Sequence, residues 1–383
     1  MILLSHPFVN GRVRHTATAL SRAGVLGEFW TYSDRTPSLQ RIPPAAIARP
    51  SADPSPDAPP CDGAADAGAS SLAMSLDEAM SVRLDMEMFR AVYAYGGGAN
   101  VTFQTARRRG VVRIYDLIHG LAPGPHPILD EEAELEPEWA ATLHPPGFGP
   151  VQAERFDAEL KQADLILVGS TFGLSTLEQT ADLPASMAVV VPGAPQPPEP
   201  IKTAAVTSRD QLRVLFCGPL GQRSGLSYLF RACRELGRSV SLTVIGAPPP
   251  VNCPALANEL ARVRWLPTCA QEVIRREMAA HDVFLFPSVF DSGSAGLLDA
   301  LSMGLPIVAT EHSAAPDLIS DGREGLIVPA RSTARIVDSL DRLRDPGLRA
   351  QMSLNARQRA ATHSWARFEQ IIAATVASAI GVH

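Results

Sequence analysis

The sequence predicts an α/β protein of two doubly wound parallel-sheet domains facing across a cleft, and three observations predict it. Apolar strand-like runs alternate with helix-length segments through both halves of the chain. A stretch at 194–210, APQPPEPIKTAAVTSRD, has four prolines, then polar residues, and no periodicity, so it reads as an interdomain linker. Each half then opens on strand, turn and helix, the start of a Rossmann-like unit. With 383 residues and 46% hydrophobic content there is material for two cores. The expected division is residues 1–195, a linker at 196–211, and residues 212–383.

Taken in order, MILLS is the first strand, followed by a helix over 10–22 and a strand near EFWTYS. Residues 43–71 are too rich in Pro, Ala, Ser and Gly to bury an apolar face and read as a loop. A helix over 75–93 follows, then Gly96, Gly97 and Gly98, more a tight turn than an anion site. A second helix ends on Arg107–Arg109, where cations suit the negative pole, with contact to anionic lipid a minor alternative. VVRIYDL is a strand, and the acidic run over 130–138 reads as a solvated face, with acceptor recognition the lesser alternative. A helix over 151–162, the strand DLILVGS, a short helix and the strand AVVVPG complete this half.

In the second half QLRVLFCG, SVSLTVIG, VRWL, DVFLFPS, PIVAT and GLIVP are strands. Helices fall over 225–236, 271–280 and 334–343, and a long helical region over 346–380 closes the chain. The terminal helix is expected to pack back on the first domain.

Composition excludes several classes. A net charge of −6 and a pI of about 5.9, with no long basic run, give no electrostatic case for nucleic acid. Five scattered cysteines without a Cys-x-x-Cys pair argue against a disulfide framework or a structural zinc. No run reaches the ~18 apolar residues of a membrane span, and the opening strand is too short for a secretory signal. The expectation is a cytoplasmic protein whose membrane contact is at most peripheral. The first turn, HPFVNGR, lacks the Gly-x-Gly-x-x-Gly of a nicotinamide-dependent oxidoreductase.

Residues 282–306, DVFLFPSVFDSGSAGLLDALSMGLP, carry the most information. An apolar strand runs into a small-residue loop and a helix that stops at Gly304 before Pro306. Asp291 and Asp299 flank the helix start, eight positions apart. A helix N-terminus offers free amides and a positive dipole end to a phosphate, and the carboxylates would accept hydrogen bonds from hydroxyls. Phosphate plus hydroxyls describe a nucleotide sugar. Either carboxylate could instead be an ordinary solvated or capping group.

At these residues the chain resembles the family-4 glycosyltransferases, which have the two-Rossmann GT-B architecture. The family pattern is Pro-Ser, then Glu-x7-Glu across a helix start, then small-Gly-x-Pro-Val; here it reads PSVFDSGSAGLLDALSMGLPIVAT, with APDLISDGREGLIVP and HSWARFEQ beyond it. The similarity covers roughly 212–372, and SHPFVNGRVRHTATALSRAG, EPEWAATL and ADLILVGSTFGLSTL resemble one bacterial branch of the family. The resemblance implies that Asp291 faces hydroxyls of the donor sugar and Asp299 the ribose. It implies that amides across Ser294, Ala295, Gly296, Leu297 and Leu298, after Ser292 and Gly293, meet the distal phosphate, and that Leu266 and Pro267 cradle the base. This sequence departs from the pattern in having aspartates for both glutamates, and Asp317 for a third. In the loop after Gly218, GPLGQRSG, Pro219 and Ser224 stand where the family has the Arg and Lys that reach the diphosphate. Arg223 is the cation left in that loop, and Arg12, in the turn Asn10, Gly11, Arg12, could supply a second.

The implied activity is transfer of a sugar from a nucleotide-diphosphate sugar to a small-molecule, glycan or natural-product acceptor, retaining and metal-independent, with no cofactor beyond the co-substrate. No Asp-x-Asp triplet occurs in the chain. An inverting route would need a base near the acceptor, and Asp116 and His119, after VVRIYDL, are the best placed. Two alternatives stay open: a sugar-nucleotide epimerase or hydrolase of the same fold, and a non-catalytic nucleotide-sugar binding protein.

Overall fold

The structure, a computed structural model, describes residues 1–32, 39–43, 67–117, 126–144, 150–180, 187–195 and 211–381. His119, the linker core and most of the Pro/Ala-rich stretch lie outside the described residues. In chain order the first half runs β1 (Ile2–Ser5), α1 (Gly11–Arg22), β2 (Leu26–Tyr32), β3 (Leu39–Ile42), α2 (Ala67–Met86), β4 (Ala91–Tyr95), α3 (Asn100–Arg108) and β5 (Val112–Leu117). It continues with α4 (Pro127–Leu135), α5 (Pro150–Gln162), β6 (Leu165–Val168), α6 (Thr171–Thr180) and β7 (Ala188–Val190). The second half has β8 (Leu212–Cys217), α7 (Leu226–Leu236), β9 (Val240–Ile245), α8 (Pro254–Leu260), β10 (Arg264–Leu266), α9 (Gln271–Ala280), β11 (Val283–Phe286) and α10 (Ala295–Ser302). It ends with β12 (Ile307–Thr310), α11 (Ala315–Leu318), β13 (Gly325–Val328), α12 (Thr333–Arg342), α13 (Pro346–Ala360) and α14 (Trp365–Ala379).

The strands form two sheets, ordered β3-β2-β1-β4-β5-β6-β7 and β10-β9-β8-β11-β12-β13. All pairs are parallel except the antiparallel edge pair β2–β3. Both sheets are doubly wound, and the strand order reverses between β1 and β4 in one and between β8 and β11 in the other. Those reversals open a crevice at the carboxyl ends of the strands, where ligands of such sheets sit.

Four expectations need correction. The helix expected over 75–93 ends at Met86, and AVYAY is the inner strand β4, buried on both faces. A short apolar run without alternation looks alike as buried helix or buried strand, and its Val and Tyr residues were the deciding signal. α2 begins at Ala67, inside the stretch read as loop. The edge strand β3 was not anticipated. The long terminal region is two helices, and the Ser364 hydroxyl caps the second by accepting from the Arg367 amide at 3.2 Å.

Those two helices serve different domains. α13 packs against α10, whereas α14 packs against α1. Phe368, Ile372 and Val376 join Ile2, Leu4, Val13, Leu20 and Phe29 in the core on one face of the first sheet. Leu76, Met80, Phe103 and Tyr115 fill the other face. His15 stacks on Trp365 at 4.2 Å, and Glu369 binds both His15 and Arg22.

At the glycine turn the amides of Gly97 and Ala99 donate to the buried Glu159 carboxylate at 2.8 and 3.0 Å. Asp77 accepts from Val101 and Thr102 at 2.9 and 2.8 Å. The N-terminus of α3 is thus satisfied by carboxylates of neighbouring helices, so this turn binds an anion that the protein itself supplies.

Candidate functional site

The loops that leave β8 and β11, residues 218–225 and 287–294, form one wall of the second crevice. The amides of Val289 and Phe290 donate to the Arg223 carbonyl at 3.0 and 3.1 Å. Gly225 has φ +73°, and a Cβ there would lie 2.0 Å from the Pro287 carbonyl oxygen, so only glycine lets the loops approach this closely. α10 then starts with Ser294 as a cap residue whose side chain makes no capping bond to the first-turn amides. The Ser292 hydroxyl, 3% exposed, is buried beside it without a hydrogen-bond partner among the described residues.

The flanking groups are arranged around this helix start. Asp291 accepts from the Gly293 amide at 2.7 Å, a turn that draws the shortened carboxylate onto its own loop. Asp299 accepts from Gln271 Nε2 at 3.0 Å. Gln271 opens α9 four positions after Pro267, so it ties the rim formed by Leu266 and Pro267 to that carboxylate. Arg223 donates through Nε to the Phe290 carbonyl at 3.1 Å, and its guanidinium lies 4.9 Å from the centre of the Phe290 ring. Burial lowers its pKa, and nearby Asp291 opposes that shift. The two residues that replace the family's cations are joined to each other, since Ser224 Oγ donates to the Pro219 carbonyl at 2.8 Å.

The first-domain candidates sit differently. Asn10 Oδ1 accepts from the Val13 amide at 2.9 Å and so caps α1, whose first residue is Gly11. Arg12, expected as a cation for the diphosphate, is committed to the domain interior. Its Nε and Nη2 donate to Asp116 at 3.2 and 3.1 Å, its Nη1 donates to the Val191 carbonyl at 2.9 Å, and Phe368 covers it. Asp116 also accepts from Tyr93 at 2.7 Å, so both carboxylate oxygens are occupied in a buried ion pair. The reason is positional: Arg12 lies on the buried face of α1, between that helix, β5 and α14.

At the reversal between β1 and β4, His6 packs edge-on against Tyr95 at 4.3 Å. Its Nδ1 accepts from the Phe8 amide at 2.9 Å, which puts the proton of the neutral ring on Nε2. Burial brings the His6 pKa down to about 4.

Sequence reasoning missed the residues by which the domains meet. α4, expected as a solvated acidic face, lies between them, and Glu132 is fully buried. Its Oε1 accepts from Gln222 Nε2 at 2.6 Å and from Tyr228 at 2.9 Å, and its Oε2 accepts from Arg331 Nε at 2.6 Å. Trp139 stacks on Phe230 in the second domain's core. His126, the cap of α4, meets Phe290 at 4.7 Å, and Phe172 stacks on His312 at 5.2 Å. A signal was present: Glu132 falls on the stripe of Ile128, Leu129 and Ala133, where a solvated charge does not belong. Among the described residues no group of three or more His, Cys, Asp or Glu is placed to hold a metal, and no helix is long and apolar enough to cross a membrane.

Residues 211–345 match the family described as "Glycosyl transferases group 1". A D-inositol 3-phosphate glycosyltransferase of Frankia alni is 30% identical over 200 residues, 46% of this chain and 49% of that protein. The chain spans about half the length, or less, of the curated relatives it first matches. Among solved structures, sucrose-phosphate synthase of Thermosynechococcus elongatus aligns with a TM-score of 0.67 at 15% identity, covering 98% of both chains. Anabaena HepE in complex with UDP aligns at 0.61 and 14% identity, covering 98% of this chain and 99% of that one. The chain has the two-domain GT-B fold and carries, over residues 211–345, a domain of the group 1 glycosyl transferases.

Proposed function

We propose that this protein is a glycosyltransferase of the family-4 type that moves a sugar from a nucleotide-diphosphate sugar to an acceptor held by the first domain. The observation that carries this is the helix start of α10, with a cap residue, Ser294, that makes no capping bond and a buried Ser292 hydroxyl that has no hydrogen-bond partner among the described residues, flanked by Asp291, Asp299 and Arg223 at the strand-order reversal. Amides of α10 would receive the distal phosphate, Asp299 the ribose hydroxyls and Asp291 the sugar hydroxyls, with Leu266 and Pro267 against the base. HepE, a structural neighbour, was solved with UDP, which supports a nucleotide in this crevice.

Charge that develops on the leaving diphosphate is stabilised best by donors fixed in advance, here the amides and Arg223. In a retaining, metal-independent transfer the leaving phosphate itself can take the acceptor's proton, so no side-chain base is needed. That route agrees with the occupied carboxylate of Asp116. The setting that fits is cytoplasmic, with at most peripheral membrane contact.

Calorimetry with a panel of nucleoside diphosphates and nucleotide sugars tests the assignment. Asp299→Asn and Arg223→Ala should each weaken nucleotide binding; unchanged affinity in both variants would sink the donor site. One observation favours a second reading, a nucleotide-sugar binding protein without turnover: Ser224 and Pro219 close on each other where two cations are expected. Nucleotide binding with no sugar transfer and no donor hydrolysis would select it, and donor turnover without an acceptor would select a hydrolase or epimerase.

A further inference from the structure

We propose that α4 of the first domain presets the phosphate-facing loops of the second, with Glu132, Gln222 and Arg331 as positioning residues for the donor's diphosphate. The inference rests on the donor crevice proposed above and assigns to residues outside it the task of holding it in shape.

The contacts form one continuous path. Glu132 holds the Gln222 side chain at 2.6 Å, and the Gln222 amide donates to Thr142 Oγ1 at 2.8 Å. A Cβ at Gly221 would lie 2.7 Å from the Thr142 carbonyl oxygen, so the first domain presses directly on this loop. The next residue is Arg223, whose carbonyl receives the amides of Val289 and Phe290. Those two residues lead through Asp291 to the start of α10. His126 meets the same loop at Phe290.

Arg331 locks the arrangement from the other side. It donates to Glu132 and Glu131, and its Nη2 donates to the Ile128 carbonyl at 2.7 Å, so three of its nitrogens grip α4. Among the described residues it alone is a non-glycine with positive φ, at 65°, a backbone state that needs compensating contacts to persist. A fully buried carboxylate likewise persists only when its partners are in place.

The chemistry explains why such a brace is needed here. A lysine or arginine on a flexible stem can find a phosphate after it binds, whereas a backbone amide must already stand where the charge will be. This loop has Pro219 and Ser224 where the family has those two cations, so more of the binding falls on the α10 amides that follow the segment it holds through Val289 and Phe290.

The test measures Glu132→Gln, Arg331→Met and the milder Gln222→Met in the full chain by calorimetry, using the nucleoside diphosphate that the wild type binds best and the matching monophosphate. Diphosphate affinity should fall about tenfold and monophosphate affinity less than about threefold, with Arg331→Lys recovering part of the loss. Folded variants that keep diphosphate affinity within about twofold overturn the proposal. Amide hydrogen exchange gives a readout that needs no ligand. Faster exchange confined to 218–225 and 287–294 in Arg331→Met is expected, and unchanged exchange there overturns the brace even if no nucleotide binds the wild type, a result that would separately end the donor reading.

Discussion

Asp317 of the second domain accepts two hydrogen bonds from Thr171 of the first, from the amide at 2.7 Å and from the hydroxyl at 2.8 Å. Thr171 opens α6, so the carboxylate satisfies an N-terminal donor of a helix in the other domain. Asp317→Ala should cost about 1 kcal/mol, because the pair is exposed at the boundary. Asp317→Glu, which restores the residue of the family pattern, should not recover that loss, since the longer side chain overshoots a geometry set for aspartate. Urea denaturation of both variants checks this.

His6 makes stability depend on pH in a defined window. Its folded pKa of about 4 lies below its ordinary value near 6.5, so the unfolded chain binds the proton first as pH falls. The contribution is fully present above pH 6.5 and is lost progressively as pH drops toward 4. His6→Gln should flatten that limb of a stability-versus-pH curve; an unchanged slope between pH 6.5 and 4.5 would contradict the assignment.

Breaking the Arg12–Asp116 pair should be among the costliest single changes in the first domain. Asp116→Asn leaves a guanidinium buried against Phe368 without its counter-charge, and Arg12→Met strands a carboxylate that keeps, among the described residues, only Tyr93. Either should destabilise by about 3–5 kcal/mol, measurable by thermal or chemical unfolding. Replacing both partners together should cost less than the sum, because no unpaired charge then remains.

Two glycines with nearly the same φ separate backbone strain from steric collision. Gly110 has φ +66° and open space where a Cβ would go, so Gly110→Ala should cost only about 1 kcal/mol. Gly225 adds the collision with the Pro287 carbonyl, so Gly225→Ala should cost several-fold more and pull apart the loops that leave β8 and β11. Differential scanning calorimetry resolves the two, and nucleotide affinity should drop only in the second.

Much of the fold was legible because buried parallel strands are short apolar runs such as LILV and VFLF, punctuated by turn residues. AVYAY was hidden where it followed closely on a helix-length segment, since a five-residue apolar run keeps no period of its own. The residues around α10 were legible as a group because they are close in sequence, so spacing fixes their geometry. Arg12 was not, because its place in the turn says where the backbone goes but not that the side chain turns inward to Asp116. Glu132 was hidden for a related reason: a string of acids looks solvated until one knows which member of it faces the neighbouring domain.

The last helix gives the chain an architecture that domain boundaries drawn along the sequence miss. Because Phe368, Ile372 and Val376 complete the core begun by β1 and α1, the first domain is a discontinuous folding unit assembled from segments on either side of the second. A first domain exchanged between relatives as residues 1–195 alone would arrive with a bare apolar flank. A functional chimera must carry its own C-terminal helix, so the modular unit of this protein is a split one.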